Sequence, residues 1–248
     1  MATSHHPARR ALTNNAQPGE SPERQSASDE RKLREERLLD AATTLLMRWG
    51  YRKTTIDDVA REAGVGKGTI YLHWKDKNEL FRAAIWREQQ RYSEEVKRRI
   101  EADPEGGLLH RVTTHGMLAS LSNPLMAAII RGQSDIFNGF VGAYDPGFLK
   151  ELVGDADTYF DQLQQAGLIR ADLPASIITY LLTALKVGMI NSTDIIGQEH
   201  LPSMEQLTEA LSDLIRRWLE PEQLPSKSDV GKQLFTEYLD KVKVKESE

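Results

Sequence analysis

The chain has 248 residues, of which 40% are hydrophobic and 28% charged, as is usual for a globular protein. It contains no cysteine, which excludes disulfides and metal sites built on thiolates. The net charge of −5 is unevenly spread: residues 30–78 carry 11 basic and 8 acidic side chains (+3), whereas residues 79–248 carry 18 and 26 (−8). This asymmetry hints at a polyanionic partner for the N-terminal part alone.

The N-terminal segment 1–29 is rich in Ser, Pro, Gln, Asn and Ala and has no periodic apolar pattern, which predicts a disordered tail. The tail is either inert or an arm whose Arg9, Arg10 or Arg24 reaches DNA. It lacks the apolar core of a secretory signal. The longest apolar-rich run, residues 177–190, has 14 residues and contains Lys186, which is too short and too polar for a membrane span. We therefore expect a cytoplasmic protein without membrane contact.

Helix follows helix after the tail. Apolar residues recur at helical spacing from Leu38 to Trp49, and Gly50 is predicted to end this first helix. Two short helices over residues 56–63 and 67–73 come next. Asp76 is predicted to cap a fourth helix, with Glu79 three residues later, that runs to residue 102.

Prolines mark the later helix starts, because an Asx cap followed by proline at the first helical position is favourable. The helices are predicted near residues 104–121, 124–134, 146–166, 174–195 and 203–219, with an amphipathic stretch near the C-terminus. The fold class is therefore all-α: a small N-terminal module of three helices, followed by a larger helical body. We expect the boundaries to be 1–29 (tail), 30–78 (helix-turn-helix), 79–220 (body) and 221–248 (linker and C-terminal helix).

Residues 64–74 read GVGKGTIYLHW and admit two interpretations. A phosphate-binding nucleotide loop would need a hydroxyl after Lys67, where Gly68 stands, and a preceding strand, which is absent from the pattern. A helix-turn-helix needs a small contact residue, a turn glycine and an inward apolar residue, which Ala60, Gly64 and Ile70 supply. The second interpretation leaves a polar face that is either simply solvated or suited to DNA.

The block TTIDDVAREAGVGKGTIYLHWKDKNELF, preceded by RLLDAATTLLMRWGYRKTT, closely resembles the DNA-binding domain of TetR-type transcriptional regulators over residues 33–85. The resemblance implies a helix cap at Thr55 or Thr54, a position facing the groove or its edge for Lys67 and Thr69, and phosphate contacts by Tyr71 and His73. The residues expected to contact DNA are Arg52, Thr54, Thr55, Lys67, Gly68, Thr69, Tyr71, His73 and Lys77.

Two positions depart from the family pattern. Gly66 stands where relatives generally have Ser or Thr, so a side-chain cap is lost. Leu72 stands at an often polar position and could instead meet a thymine methyl group. Trp74 is expected to lie in the core of the module.

Two patterns predict a surface that pairs helices. Apolar residues recur at steps of three and four along the helix predicted at 203–219, and residues 177–190 form a mostly apolar stretch. In the resembled family the last two core helices of each subunit form the dimer interface; the alternative is core within one chain. The expected interface residues are Ile177, Leu181, Leu185, Gly188, Leu207, Leu211, Leu214 and Trp218.

A mixture of methionines and aromatic residues in the central helices suits an adaptable apolar pocket, although each is also a normal core residue. The candidate ligand-binding residues are Met117, Met126, Phe137, Phe140, Tyr144 and Tyr159. His110 and His115 are five residues apart, a poor spacing for one helix face, so we predict neither a metal site nor a cofactor.

The resulting hypothesis is a homodimeric repressor that binds a near-palindromic operator in double-stranded DNA and is released by a small apolar or amphipathic ligand. The alternative is a DNA-binding regulator controlled by a protein partner, for which the C-terminal helix near 230–244 would serve. No catalytic arrangement stands out, so an enzyme is not expected.

Overall fold

The computed structural model describes residues 22–130, 136, 146–196, 202–222 and 228–244, and it divides the chain into two compact units, 1–36 and 37–248. The first unit is described from Pro22 onward, as the opening turns of a helix that continues into the second unit. The segment 1–29 is therefore helical where it is described, which corrects the prediction of a disordered tail up to residue 29. The rest of that tail lies outside the described residues.

The described chain consists of helices joined by turns, without strands, which confirms the all-α fold class. The helices are α1 (Pro22–Lys53), α2 (Ile56–Glu62), α3 (Lys67–Tyr71), α4 (Lys77–Ala102), α5 (Leu109–Ser122), α6 (Pro124–Ile130), α7 (Pro146–Gln165), α8 (Ala175–Ile196), α9 (Met204–Leu219) and α10 (Ser228–Val244).

Most of the predicted helix boundaries agree with these bounds, and the capping chemistry explains why. The Asp76 carboxylate accepts a hydrogen bond from the Glu79 N–H at the start of α4, as predicted. The Asn123 side chain accepts one from the Met126 N–H at the start of α6. Ser203 and Gln206 form a reciprocal capping box at the start of α9.

The backbone of Gly50 takes a non-helical φ of 76°, which breaks the regular helix there, as predicted, although α1 as bounded above includes three further residues to Lys53. One boundary prediction was wrong. The Asp103–Pro104 pair does not open α5, which begins at Leu109. Asp103 instead ends α4, and its carboxylate accepts hydrogen bonds from the side chains of Arg111 and His115.

The second unit contains two buried apolar cores. One joins α1, α2, α3 and the beginning of α4, and α6 adds Leu125 and Met126 to it. The other joins the rest of α4 with α5, α7, α8, α9 and α10. Because α6 belongs to the first core while it follows α5 of the second, it connects the helix-turn-helix to the body.

Helix α10 packs on α4 and α7 through its apolar face. Phe235 and Leu239 are buried, and the Phe235 ring lies 5.7 Å from the ring of Tyr159 on α7, measured between centres. A Cβ added to Gly231 would come within 1.9 Å of the Gly107 carbonyl oxygen, so the two backbones touch at this point. The predicted C-terminal helix is thus an integral part of the body.

Candidate nucleic-acid interface

The first helix of the motif, α2, is fixed at its start by Thr55. Its hydroxyl accepts a hydrogen bond from the Asp58 N–H at 3.2 Å, and the Asp58 carboxylate accepts one from the Thr55 N–H at 3.0 Å. The Thr55 hydroxyl also donates to the Asp58 carboxylate at 2.6 Å, and this bond, with the smaller effect of the Thr55 N–H, holds the pKa of Asp58 below its ordinary value. The capping box satisfies two backbone donors that would otherwise lack partners, which explains why α2 starts here.

Thr54 has a different role from the one expected. Its side chain is 0% exposed, and its hydroxyl donates to the carbonyl oxygens of Gly50 at 2.9 Å and Leu45 at 3.3 Å. A side chain in this position has no access to DNA, so Thr54 is removed from the candidate contacts. Thr55, which is exposed, is the capping residue.

The turn between α2 and α3 depends on Gly64, whose φ of +67° lies in the left-handed region that other residues rarely adopt. The Val65 N–H then donates to the Ala60 carbonyl at 2.9 Å, which reverses the chain direction. Ile70 on α3 is fully buried against the core that contains Ala60. The structure therefore confirms the three residues on which the helix-turn-helix prediction rested.

Burial of Ile70 turns the other side chains of α3 outward. Lys67, Gly68, Tyr71 and Leu72 are exposed, and Thr69 and His73 are partly exposed. Tyr71 is 50% and Leu72 77% exposed, which is high for apolar or aromatic residues in a folded chain. Trp74 is buried, as predicted, with the His73 ring 5.2 Å away. We call the six residues from Lys67 to His73 other than Ile70 the α3 surface.

Two lysines at the edges of this surface have partners within the chain. The Lys67 ammonium pairs with the Asp57 carboxylate at 2.9 Å, and this hydrogen bond raises the pKa of Lys67. Both groups are exposed, so a phosphate can compete for the lysine at little cost. The Lys77 ammonium donates to the Tyr51 carbonyl at 2.5 Å and lies 4.0 Å from the centre of its ring, and burial lowers its pKa. Arg52 is exposed at the end of α1.

Glycine at positions 66 and 68 has no explanation within the fold. A Cβ added to either residue would meet no atom within 4 Å. Gly66 has an ordinary φ of −74°, and Gly68 lies inside α3, where glycine is unfavourable relative to alanine. The free space beside both residues is on the exposed side of the motif, so it is open to a bound partner.

Sequence reasoning missed a polar network that joins α1, α4 and the start of α6. The buried Arg87 guanidinium pairs with Asp40 at 2.8 Å and with Glu88 at 3.0 Å. The buried Glu88 carboxylate also accepts hydrogen bonds from Arg91 at 2.9 Å and Asn123 at 3.0 Å. Arginine and glutamate are normally exposed. In the sequence, Arg87 and Glu88 cannot be told apart from the other charged residues of α4, so their burial could not be predicted.

The residues expected at a dimer interface fall into two sets. Ile177, Leu181, Gly188 and Leu214 are exposed, together with the neighbouring Tyr180 and Met204. Leu211 is buried in the core of its own chain, and Leu185 and Trp218 pack against that core. Leu207 is partly exposed. The three-four pattern of α9 therefore serves two faces, since Leu211 and Trp218 face inward whereas Met204 and Leu214 face outward.

The candidate pocket residues are not brought together as a group. Met117 and Tyr159 are buried in the body core, whereas Met126 is buried in the helix-turn-helix core. Met126 therefore does not line a cavity of the body. Phe137, Phe140 and Tyr144 lie outside the described residues. Within the described ranges no group of three His, Asp or Glu side chains is placed to hold a metal ion, and no helix is long and apolar enough to cross a membrane.

These features define a class: a helix-turn-helix with an exposed second helix, carried by an all-helical body. Residues 38–84 match the family model of bacterial regulatory proteins of the tetR family. YhgD of Bacillus subtilis, an uncharacterized HTH-type transcriptional regulator, is 52% identical over 53 residues, which cover 21% of this chain and 26% of YhgD. The sequence similarity to the TetR family lies in this helix-turn-helix segment.

Solved structures extend the similarity of fold to the body. FadR of Bacillus subtilis, a transcriptional regulator crystallised with stearoyl-CoA, aligns with a TM-score of 0.56 at 16% identity, over 73% of this chain and 96% of FadR. SmeT, the repressor of a Stenotrophomonas maltophilia multidrug efflux pump, aligns with a TM-score of 0.55 at 20% identity, over 77% of this chain and 97% of SmeT. In sequence, the matched segment spans only 26% of the length of YhgD and 34% of that of HbdR, another HTH-type transcriptional regulator, from Aromatoleum sp..

Proposed function

We propose that the chain is a sequence-specific DNA-binding transcriptional regulator that places the α3 surface in the major groove. The observation that carries the proposal is the exposed row on α3, which is held outward by the buried Ile70. Thr69, Tyr71 and His73 can each donate a hydrogen bond to a base edge or phosphate. Lys67 and Arg52 add positive charge at its edges.

We propose further that two copies pair through the exposed apolar residues of α8 and α9. Ile177, Tyr180, Leu181 and Leu214 are exposed and would all lose their water contact in such a dimer, and exposed apolar residues that form a patch are typical of interfaces. The two α3 surfaces would then read half-sites about 34–36 Å apart, or a multiple of this, in a near-palindromic operator.

Control by a small ligand is the third part of the proposal, with repression as the resting state. The repressor SmeT and the stearoyl-CoA complex of FadR supply precedents within the same fold. In this chain, Leu125 and Met126 of α6 pack into the helix-turn-helix core, and Asn123 bonds to Glu88 of α4. A displacement of α6 by a ligand in the body would therefore disturb both the helix-turn-helix core and α4.

The alternative was control by a protein partner bound to the C-terminal helix. Phe235 and Leu239 of α10 are already buried against the chain itself, and Lys97 pairs with Asp240 at 2.7 Å across the α4–α10 contact. A partner that used the apolar face of α10 would first have to displace these contacts. This weighs against the alternative and favours the small ligand.

The test is DNA binding by the full chain, measured as fluorescence anisotropy on the duplex upstream of its own gene and on a shuffled duplex. Lys67→Gln should weaken binding to both duplexes and reduce the slope of log affinity against log salt, because a phosphate contact is lost. Lys241→Gln, an exposed lysine on α10, is the matched control and should leave both unchanged. Equal affinity of the unmodified chain for the two duplexes would refute sequence-specific binding.

A further inference from the structure

A lysine lies on the inward side of the otherwise apolar helix α8. Leu182, Leu185 and Met189 of this helix pack against the body core. Lys186 lies one turn from both Leu182 and Met189, so it shares their face of the helix. The outward face of α8 carries the exposed Tyr180 and Leu181 instead. Lys186 is therefore not part of the proposed dimer surface.

The partners of Lys186 within the chain are weak ones. Its ammonium lies 3.4 Å from the hydroxyl oxygen of Tyr92 on α4 and 5.5 Å from the centre of that ring. Tyr92 in turn donates a long bond of 3.5 Å to the Gly116 carbonyl on α5. None of the carboxylates in the described part of the chain forms an ion pair with Lys186. A partly buried ammonium in apolar surroundings is costly without a counter-charge, and the ring face compensates only in part.

The same core contains a buried polar group without a hydrogen-bond partner. Tyr159 on α7 is only 4% exposed, and its hydroxyl has no hydrogen-bond partner among the described residues. Burial raises the pKa of this hydroxyl, so it stays a neutral donor. Buried polar atoms nearly always have partners in folded proteins, so this hydroxyl, together with the weakly partnered Lys186, points to a molecule that supplies polar atoms to the core.

We propose that Lys186 and Tyr92 bind the carboxylate head of an amphipathic anion whose aliphatic tail lies among the apolar side chains beside them. The carboxylate supplies a counter-charge that no described residue gives Lys186, and the Tyr92 hydroxyl exchanges its long bond to Gly116 for a charge-assisted one. Leu182, Leu185 and Met189 provide the apolar contact for the chain of the ligand. This inference rests on the proposed control by a small ligand and names its chemical class.

The experiment uses the full chain with octanoate, decanoate and dodecanoate, and with the alcohol of each chain length as a neutral counterpart. Binding is measured by calorimetry and by thermal unfolding, since a ligand of the folded state raises the melting temperature. We expect at least one carboxylate to bind, and its affinity to fall about tenfold or more in Lys186→Met and measurably in Tyr92→Phe. The alcohols should bind the Lys186→Met variant as well as they bind the unmodified chain. Lys241→Met controls for loss of one surface charge.

The ligand-free Lys186→Met variant should melt at the same temperature as the unmodified chain or higher, because it removes a partly buried charge that pairs with no carboxylate among the described residues. A lower melting temperature, unchanged carboxylate affinity in this variant, or the absence of binding by all three carboxylates would overturn the inference. DNA affinity of the ligand-free variant should equal that of the unmodified chain. If the unmodified chain binds no carboxylate but still prefers its operator sequence, only the proposed ligand class is refuted. If the unmodified chain shows no sequence preference for DNA, the proposed regulatory function itself is refuted.

Discussion

Replacement of Gly68 by alanine should make the protein more stable but weaken its binding to DNA. Gly68 lies within α3, and an added Cβ would meet no atom within 4 Å, so the fold gains helix propensity without a clash. Glycine is about 0.5–1 kcal/mol less favourable than alanine in a helix. At about 2–4 °C per kcal/mol for a chain of this size, the melting temperature should rise by about 1–4 °C.

The same methyl group would project into the space that a DNA backbone fills if α3 lies in the groove. We therefore expect operator affinity to fall by about tenfold, which is about 1.4 kcal/mol, while the protein becomes more stable. Thermal unfolding and anisotropy on the same preparation measure the two effects. Thr236→Ala on α10, which also increases helix propensity, should raise stability and leave affinity unchanged. A Gly68→Ala variant that binds the operator as tightly as the unmodified chain would refute close approach of this backbone to DNA.

Three further predictions concern single contacts. Thr69→Ala and Tyr71→Phe should each weaken operator binding in anisotropy titrations while the circular dichroism spectrum and the dimer remain unchanged; normal affinity in both would remove these side chains from the interface. Gly231→Ala should lower the melting temperature, because its methyl group would collide with the Gly107 carbonyl, and overpacking of this kind typically costs about 1–3 kcal/mol of stability. An unchanged melting temperature would show that α10 does not pack against the turn that contains Gly107. Asp103 is partly buried, which opposes its ionisation, yet hydrogen bonds from His115 and Arg111 hold its pKa below the ordinary value. The stabilisation by ionised Asp103 is therefore complete above about pH 3.9 and is lost as the pH falls through the lowered pKa. Chemical denaturation should show that the difference in free energy of unfolding between the unmodified chain and Asp103→Asn becomes smaller in acid. A difference that is constant with pH would contradict this account.

The sequence predicted the helix-turn-helix well because local chemistry determines it. Gly64 alone allows the left-handed turn, the Thr55 cap fixes where α2 begins, and burial of Ile70 decides which side chains of α3 face outward. Each of these effects acts over a few residues, so the pattern in the sequence is sufficient. The start of α5 was predicted wrongly although the Asp103 carboxylate accepts a hydrogen bond from the Glu105 N–H after Pro104, because the residues that follow form turns and the helix begins only at Leu109. The same carboxylate also accepts hydrogen bonds from the side chains of Arg111 and His115.

Features that depend on contacts between distant segments were not predictable. Nothing near Thr54 or Thr55 in the sequence tells which of the two is buried; the position of the end of α1 decides it. The pairing of Arg87 with Asp40 and the meeting of Gly107 with Gly231 join residues far apart in the chain. The outward and inward halves of the α9 pattern likewise depend on which neighbours cover Leu211 but not Leu214.

Protection of the duplex upstream of the gene from hydroxyl-radical cleavage is the most direct measurement of the central claim. The account predicts two protected stretches related by a near-two-fold axis, with centres about 10–10.5 base pairs apart or a multiple of this, as two α3 surfaces held in one dimer require. Protection at both stretches should disappear together in Thr69→Ala. A uniform, sequence-independent pattern, or protection of one half-site by a single subunit, would contradict it.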